Sequence, residues 1–529
     1  MKGNLRAAVI ASLVLGLASC AWSPREAEPD EVRARVAEDR AALTAAAPPP
    51  DELTLSEAVG RAVHQNLALR AALLEESLAH AEFEEGRLDL LPRVVATNEY
   101  YGRNNQLASV SESVLTGNQS LEPSTSSERY GWRSDATAAW NILDFGVGYL
   151  RSREAANEAL MARERRHKAL QDLVLDVSVA FWRVASAEHL LRQVEPIRAR
   201  LGEALAQSQA LTESQLLDPT QANTFQRDVL DQLRALRSLE RDAESARLEL
   251  ARAINAPGVR FRVRGVDPAR AQTPQLKVPV EQLEFDALRL RPELRGADYE
   301  RRISRLEVRR ALLEALPGLE LRVGYNRESN DFLVKDNWWS YSGALSKNLV
   351  ELVTAPKRIA LAEDRGELAD ARRLALSTAV MAQVHLAYQD FRSAEAQAAI
   401  SERRRYLESR ASAITAVRAD AGTASELDAA RAEGRQLVAE LQHASSYARV
   451  RESFARLQNA VGETPAPRYE HLGDLAELSR WAELTLTSWE RRAAFGRGSA
   501  RVRLAYRDLA PFSWHFSAPP SAVASPPPR

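Results

Sequence analysis

Side chains that commonly carry out chemistry are few and scattered in this sequence. Eight histidines are spread over 529 residues without an HExxH pair, and the single cysteine excludes an internal disulfide or a cysteine-based metal site. Gly146 and Gly148 open a predicted helix as in a dinucleotide-binding turn, but the third glycine is missing, so we interpret them as a flexible turn. No Walker, GxSxG or kinase motif is present. We expect no catalytic residues, no metal site and no bound cofactor.

The one cysteine, Cys20, follows an apolar segment near the N terminus. Two basic residues precede the apolar residues 7–17, which are too few to span a bilayer, and the sequence continues to Leu-Ala-Ser-Cys. This end is similar to the lipobox of bacterial lipoproteins. The resemblance implies a signal peptide over residues 1–19 and a covalent lipid, such as palmitate, on Cys20. Ala21 stands where an inner-membrane retention aspartate would be, which favours the outer membrane. The alternative is an ordinary signal peptide that ends near a cysteine.

The composition is typical of long helices. Ala, Leu, Arg and Glu dominate, and 71 basic against 72 acidic residues leave no basic excess for nucleic acid. No stretch outside the signal approaches about 20 consecutive apolar residues, so we expect no transmembrane helix in the mature protein. Residues 20–52 are charged and punctuated by proline, which predicts an extended, lipidated tether. Residues 466–529 are expected to form a short helical piece followed by a disordered, proline-rich tail.

The remaining sequence is duplicated. Leu91-Pro92 recurs as Leu316-Pro317, at an offset of 225 in the numbering, and from Asn141 onward a second match holds without a gap at an offset of 207. Because the first offset is the larger, the first copy must contain an insertion, which falls in a Ser- and Asn-rich loop. The predicted divisions are a first repeat over residues 53–260, a linker over 261–284 and a second repeat over 285–465.

Each repeat is predicted to contain a helix, a β-hairpin and two long helices. The opening helices run from about Thr54 to Leu91 and from about Phe285 to Leu316, and a proline stops each of them. A helix from about Gly146 to Thr212 would extend roughly 100 Å and carries a heptad stripe suited to packing against other helices. The predicted hairpins cover residues 93–143 and 318–350.

The predicted strands alternate apolar and polar residues. This pattern fits a membrane barrel with lipid outside and water inside, and by periodicity alone it fits a half-buried soluble sheet equally well. Aromatic residues favour the membrane interpretation, because they are expected at strand ends, where interfacial girdles form. The predicted membrane-interface aromatics are Tyr100, Trp132, Trp140, Tyr325, Trp339 and Tyr341.

Four strands per chain are too few to close a barrel, and unpaired strand edges are costly in lipid. Three chains would supply twelve strands. The predicted fold is therefore mainly α with a small membrane β part: a duplicated, long-helix coiled-coil α-barrel with four strands per chain, which closes as a trimeric 12-stranded β-barrel.

With these features the sequence resembles the outer membrane efflux protein family, the trimeric TolC-like channel-tunnels of Gram-negative bacteria. The resemblance extends from about Leu53 to Pro465 and rests on the residues at 53–58, Asn66-Leu67, the two Leu-Pro helix ends and the turn at 422–428. It implies a homotrimer in outer-membrane lipid, with a large periplasmic portion. It also implies a passive exit duct that works with a periplasmic adaptor (membrane fusion) protein and an inner-membrane transporter of the RND or ABC type.

The resemblance also implies a gate at the periplasmic end, lined by acidic residues. The matching position is Asp428, and Asp218 lies near the equivalent turn of the first repeat. Ala424 stands where some family members carry a basic residue that helps to hold the gate. The alternative interpretation of Asp428 is an ordinary carboxylate at a helix start, which the helix dipole favours.

A different class of function also fits part of the pattern. A lipid-anchored periplasmic coiled-coil scaffold or adaptor would explain the helices and the lipobox, but not two aromatic-rich hairpins that each precede a very long helix. The cargo, whether drugs, metals or proteins, is not encoded in these residues.

Overall fold

A computed structural model describes residues 25–44, 48–256, 258–259, 261–468 and 472–495. The predicted signal peptide 1–19, Cys20 and the tail from residue 496 onward lie outside the described residues.

The first repeat contains four helices and two longer strands. After α1 (Pro29–Thr44) and the short strand β1 (Glu52–Leu53), the order is α2 (Leu55–Gln65), α3 (Leu67–Leu88), β2 (Arg93–Gly102), β3 (Tyr130–Asn141), α4 (Ile142–Glu213) and α5 (Pro219–Ala253). Thr54 caps α2 in a capping box, since its hydroxyl accepts from the Glu57 N–H while the Glu57 carboxylate accepts from the Thr54 N–H.

The second repeat has the same elements in the same order. It begins after β4 (Arg262–Val263) and contains α6 (Val280–Leu290), α7 (Pro292–Glu314), β5 (Gly318–Glu328), β6 (Asn337–Ser346), α8 (Leu349–Asp420) and α9 (Glu426–Val461), and α10 (Leu475–Phe495) follows. Both α4 and α8 are 72 residues long, and their limits are related by the same offset of 207 as the sequence match. The prediction of a mainly α chain with a small β part is confirmed.

The four long strands form one antiparallel sheet in the order β2-β3-β5-β6, so the two hairpins pair through β3 and β5. β1 and β4 form a separate parallel pair that joins the N-terminal residues of the first repeat to the linker. Within the described ranges, the outer edges of β2 and β6 pair with no other strand.

The prediction of one continuous opening helix in each repeat is wrong. α2 ends and α3 begins at Asn66, and α6 ends and α7 begins at Arg291, which is the equivalent of Asn66 at the offset of 225. At both breaks a side chain reaches the end of a long helix: Asn66 Nδ2 donates to the Ala253 carbonyl (3.2 Å), and Arg291 Nη1 donates to the Ala460 carbonyl (3.2 Å). These bonds satisfy carbonyls that a helix end leaves without intrahelical partners.

The prediction of an extended tether is wrong for residues 29–44, which form α1. Pro29 stands in the first turn, where a missing N–H costs nothing, and Asp30 and Glu31 favour the positive end of the helix dipole. The Glu-, Arg- and Ala-rich sequence has high helix propensity, and that propensity prevails over the proline punctuation around it.

The buried core lies along the helices. One cluster joins α2, α4 and the end of α5, a second joins α6, α8 and the end of α9, and a third joins α4, α5 and α9. α10 is the predicted C-terminal helical piece. It connects the first two clusters, since Leu478 and Ala482 pack in one, while Trp489 and Ala493 pack in the other.

Candidate functional site: a two-faced sheet on long helices

One face of the four-stranded sheet is apolar over most of its area. Residues paired directly across antiparallel strands share a face, so the strand register assigns every side chain to one side. A polar row of Asn98, Ser134, Arg327 and Asn337 crosses this face near the loops. Apart from two glycines, the remaining members, the apolar face, are Val94, Ala96, Tyr100, Tyr130, Trp132, Ala136, Ala138, Trp140, Leu319, Leu321, Val323, Tyr325, Trp339, Tyr341 and Leu345.

The opposite face is mainly polar, with Val95, Tyr101 and Trp338 as its large apolar or aromatic members. Near the loops, the Glu328 carboxylate accepts from the Arg133 guanidinium (3.3 Å) and from the Tyr101 hydroxyl (3.2 Å), which links three strands. The polar members of this polar face are Arg93, Thr97, Glu99, Arg133, Asp135, Thr137, Asn141, Glu320, Arg322, Asn326, Glu328, Ser340, Ser342 and Ser346.

Four of the predicted interface aromatics form two equivalent pairs near the loop ends of the hairpins. The rings of Tyr100 and Trp132 are 4.9 Å apart, and those of Tyr325 and Trp339 are 5.3 Å apart. Trp140 lies at the helix end of β3, about 26 Å along the strand from Trp132 at roughly 3.3 Å per residue.

Tyr341 differs from the other predicted aromatics, because it lies in the middle of β6, where it pairs with Val323. The expectation of a strand-end position is wrong for this residue. Its side chain is 87% exposed on the apolar face, so it extends that face toward the free edge of the sheet.

The sheet is joined directly to the long helices. β3 leads into α4 at Asn141, whose side chain accepts from the N–H groups of Leu143 and Asp144, and β6 leads into α8 through Asn348 in the same way. At about 1.5 Å per residue, α4 and α8 each extend roughly 108 Å away from the sheet. Pro196 within α4 is exposed, so the hydrogen bond that proline cannot donate is missing on the solvent side of the helix.

The far end of the helices consists of two short turns that carry the predicted gate residues. Asp218 is the N-cap of α5, and its carboxylate accepts from the N–H groups of Thr220 (2.9 Å) and Gln221 (3.0 Å). Its equivalent in the second repeat is Ser425, the N-cap of α9, rather than Asp428. The two predicted gate residues therefore occupy different positions of their helix starts.

Asp428 lies in the first turn of α9, with its side chain exposed. The Ser425 hydroxyl donates to its carboxylate (2.7 Å) and accepts from its N–H (3.1 Å). This geometry fits the helix-start interpretation. It also leaves the carboxylate exposed at the end of the hairpin, so the two interpretations are compatible. Ala424, in the turn before it, is half-buried.

A contact that the sequence did not reveal joins the two hairpin loops. Asn330, between β5 and β6, is buried, donates to the Ser126 carbonyl (3.0 Å) and accepts from the Glu128 N–H (3.3 Å). The partners belong to different repeats, and only the excess length of the first loop hints that it reaches its neighbour.

The described parts of the chain contain no cluster of three or more His, Cys, Asp or Glu side chains placed to hold a metal ion. Among the described helices, none combines the length and apolarity that a membrane crossing needs.

No protein-family model matches the sequence, and a comparison with curated proteins gives no match. Solved structures do match the fold. The MtrE outer membrane channel of Neisseria gonorrhoeae is 18% identical, with a TM-score of 0.61 over 77% of this chain and 88% of that one. The chain has the fold of outer-membrane channels.

Two more structures support this channel fold. The Campylobacter jejuni CmeC outer membrane channel is 15% identical, with a TM-score of 0.60 over 77% of this chain and 85% of that one. The Vibrio cholerae outer membrane protein VceC is 13% identical, with a TM-score of 0.58 over 77% of this chain and 96% of that one. At these identities the likeness concerns the fold.

Proposed function

We propose that this chain is the outer-membrane channel-tunnel of a tripartite efflux or secretion system. It would act as a passive exit duct, without enzymatic activity, that carries substrates from an inner-membrane transporter of the RND or ABC type across the periplasm and outer membrane. A periplasmic adaptor protein would connect the two, and a lipid on Cys20 would anchor the chain in the outer membrane.

One observation carries this proposal: a sheet with an apolar and a polar face and two free edges continues into helices of 72 residues. A large exposed apolar surface on one face indicates contact with lipid or protein, while the polar face suits water. Edges with unpaired backbone groups cannot remain free in lipid. A homotrimer would close the sheet into a 12-stranded β-barrel and the helices into an α-helical tunnel.

The test uses the full chain, expressed with its own signal in a Gram-negative host. We expect it in the outer-membrane fraction, as trimers that SDS dissociates, and we expect the purified protein to conduct ions across planar bilayers. Release by removal of the acyl anchor alone, with no conductance, would instead support the periplasmic scaffold or adaptor.

Two matched substitutions test which face meets lipid. Val323 is on the apolar face of β5, and Ser342 is on the polar face of the neighbouring strand β6. Val323→Lys places a charge against lipid, at a cost of about 2–4 kcal/mol near the bilayer centre, so it should reduce the membrane-inserted trimer. Ser342→Lys should insert normally. Equal insertion of both variants would contradict the proposed orientation.

A further inference from the structure

The two repeats of one chain pack against each other in a defined way. β5 of the second repeat pairs with β3 of the first, while α7 and α9 of the second repeat pack along α4 of the first. If the same packing is repeated around a ring of subunits, the first repeat of the next subunit meets the second repeat through the equivalent elements. Those elements are β2, α3 and α5 of one subunit, against β6 and α8 of the next.

We propose that the boundary between subunits reproduces the boundary between the two repeats of one chain, with Arg227 against Glu408 of the partner subunit. This inference rests on the proposed function, because it needs the ring of subunits that a channel forms. It adds the residues that meet at the boundary and the register of the strands across it.

The helix α5 presents an exposed stripe at the positions that would meet α8 of the next subunit. Its equivalent, α9, buries a stripe against the first repeat, where Gly434, Leu437, Leu441, Ala444 and Ala448 are spaced alternately by three and four residues. The five equivalent positions on α5 are exposed. With two more exposed positions at the same spacing they make a stripe of seven residues, of which five are charged. This α5 stripe consists of Arg227, Leu230, Arg234, Arg237, Arg241, Glu244 and Leu248.

A close approach of α9 to α4 inside the chain becomes a charge pair at the proposed boundary. A Cβ on Gly434 of α9 would lie 2.9 Å from Leu201 Cδ2 of α4. Across the boundary between subunits, the equivalent of Gly434 in the first repeat is Arg227, and the equivalent of Leu201 in the second repeat is Glu408, both at the offset of 207. Arg227 is exposed and Glu408 is half-buried, and neither has an ion-pair partner within the described residues. A basic group on α5 would thus meet an acidic group on α8.

A second pair further along the same helices has the same polarity. Inside the chain, Arg183 Nε of α4 donates to the Glu452 carboxylate of α9 (2.6 Å). The equivalent of Arg183 is Asp390, which is exposed on α8, and Arg241 lies one helical turn from the equivalent of Glu452. Inside the chain the base is on α4 and the acid on α9, whereas at the boundary the acid is on α8 and the base on α5. The two helices therefore carry opposite charges in both cases, which favours their association.

Near the sheet, the same offsets bring exposed apolar residues together. A Cβ on Gly146 of α4 would lie 2.8 Å from Leu313 Cδ2 of α7. The equivalent residues are Val353 of α8, 79% exposed, and Leu88 of α3, 65% exposed. Burying both would remove apolar surface from water. Because a larger side chain replaces glycine here and at Arg227, the helices must lie further apart at the boundary than within the chain.

The register of β2 against β6 follows from that of β3 against β5. Thr137 of β3 pairs with Gly324 of β5 inside the chain. The equivalent of Thr137 in β6 is Ala344, at the offset of 207, and the equivalent of Gly324 in β2 is Glu99, at the offset of 225. Both residues are on the polar face. Cysteines at directly opposed positions are close enough for a disulfide, whereas a diagonal pair two residues apart is about 7–8 Å away.

The test uses the purified full chain in detergent. Glu99→Cys combined with Ala344→Cys should give disulfide-linked dimers and trimers on non-reducing gels. Each single variant, and the shifted pair Thr97→Cys with Ala344→Cys, should give far less. In parallel, Arg227→Glu and Glu408→Arg should each lower the temperature at which the trimer dissociates by about 2 °C, and the double variant should recover most of that loss.

An exposed arginine outside the equivalent stripe, Arg435 of α9, serves as the charge control, and Arg435→Glu should leave the dissociation temperature unchanged. A conducting trimer without the cross-link, or without recovery in the double variant, overturns this inference and leaves the proposed function standing. A chain that stays monomeric and does not conduct overturns both.

Discussion

The exposed carboxylate of Asp428 gives the sharpest test of the gate, because its two interpretations can be separated by substitution. Asp428→Asn removes the charge but retains an oxygen that can accept from the Ser425 hydroxyl, which lies 2.7 Å from the carboxylate. Ser425→Ala removes the cap and leaves the charge. Asp428→Ala removes the charge and that oxygen, while the Ser425 hydroxyl can still accept from the N–H of residue 428.

The expected magnitudes follow from helix capping and from Coulomb's law applied to a trimer. Loss of a cap costs about 1 kcal/mol, which a helix of 36 residues packed along its length should tolerate, so all three variants should still form channels. A divalent cation about 8 Å from each of three carboxylates gains roughly 3 kcal/mol in water, and screening at 0.1 M salt reduces this to about half. Removal of the charges should therefore weaken block by the cation about tenfold.

The assay is single-channel recording in planar bilayers, with a divalent cation titrated from the side that the helices face. Asp428→Asn and Asp428→Ala should both weaken the block, while Ser425→Ala should leave it near the wild-type value. If the cation blocks Asp428→Asn as strongly as the wild type, the carboxylate serves only the start of the helix, and the gate interpretation is refuted. Asp218→Asn, which retains an N-cap acceptor, applies the same test to the first repeat.

The remaining predictions concern stability, measured by thermal or denaturant unfolding of the detergent-solubilised protein. Gly462 and Gly422 both have positive φ. A Cβ at Gly462 would lie 3.2 Å from the Arg291 backbone nitrogen, whereas a Cβ at Gly422 would meet open space. Gly422→Ala should therefore lower the free energy of unfolding by roughly 1 kcal/mol, and Gly462→Ala should lower it by more. Gln215 also has positive φ (59°), and Gln215→Gly should change stability by less than about 1 kcal/mol, in the stabilising direction. Burial lowers the pKa of His443, so the unfolded chain binds a proton that the folded chain does not. Stability should therefore be greatest above about pH 6.5 and fall as the pH drops toward the folded pKa, and His443→Gln should lose this slope; an equal slope in both proteins would contradict it.

Periodicity predicted the long helices and both hairpins, because each is governed by a local rule repeated over many residues. The offset of 207 between the copies fits the observed limits of α4 and α8. The breaks at Asn66 and Arg291 were missed, since each is stabilised by a carbonyl at the end of a helix that is distant in sequence. A local signal existed at Arg291, because the Pro292 that follows disfavours helical backbone there.

The candidate site was predicted unevenly for a similar reason. Alternation assigned the aromatic residues to strands, but position along the sheet depends on register, which placed Tyr341 in the middle of β6 rather than at its end. The acidic residues of the turns were found, but their equivalence was not. Asp218 aligns with Ser425, and both use a side-chain oxygen to cap the following helix.

The turns at the two ends of α5 and α9 show which features the fold imposes on both copies. Gln215 and Asn255 in the first copy adopt positive φ where the second copy has glycine, at Gly422 and Gly462. Residues with a Cβ disfavour this region by about 1–2 kcal/mol, somewhat less for asparagine, so local preference alone would not place them there. The backbone path is the same in both copies although the residue types differ. Contacts made by the long helices, rather than the residue at positive φ, must therefore determine where each hairpin reverses.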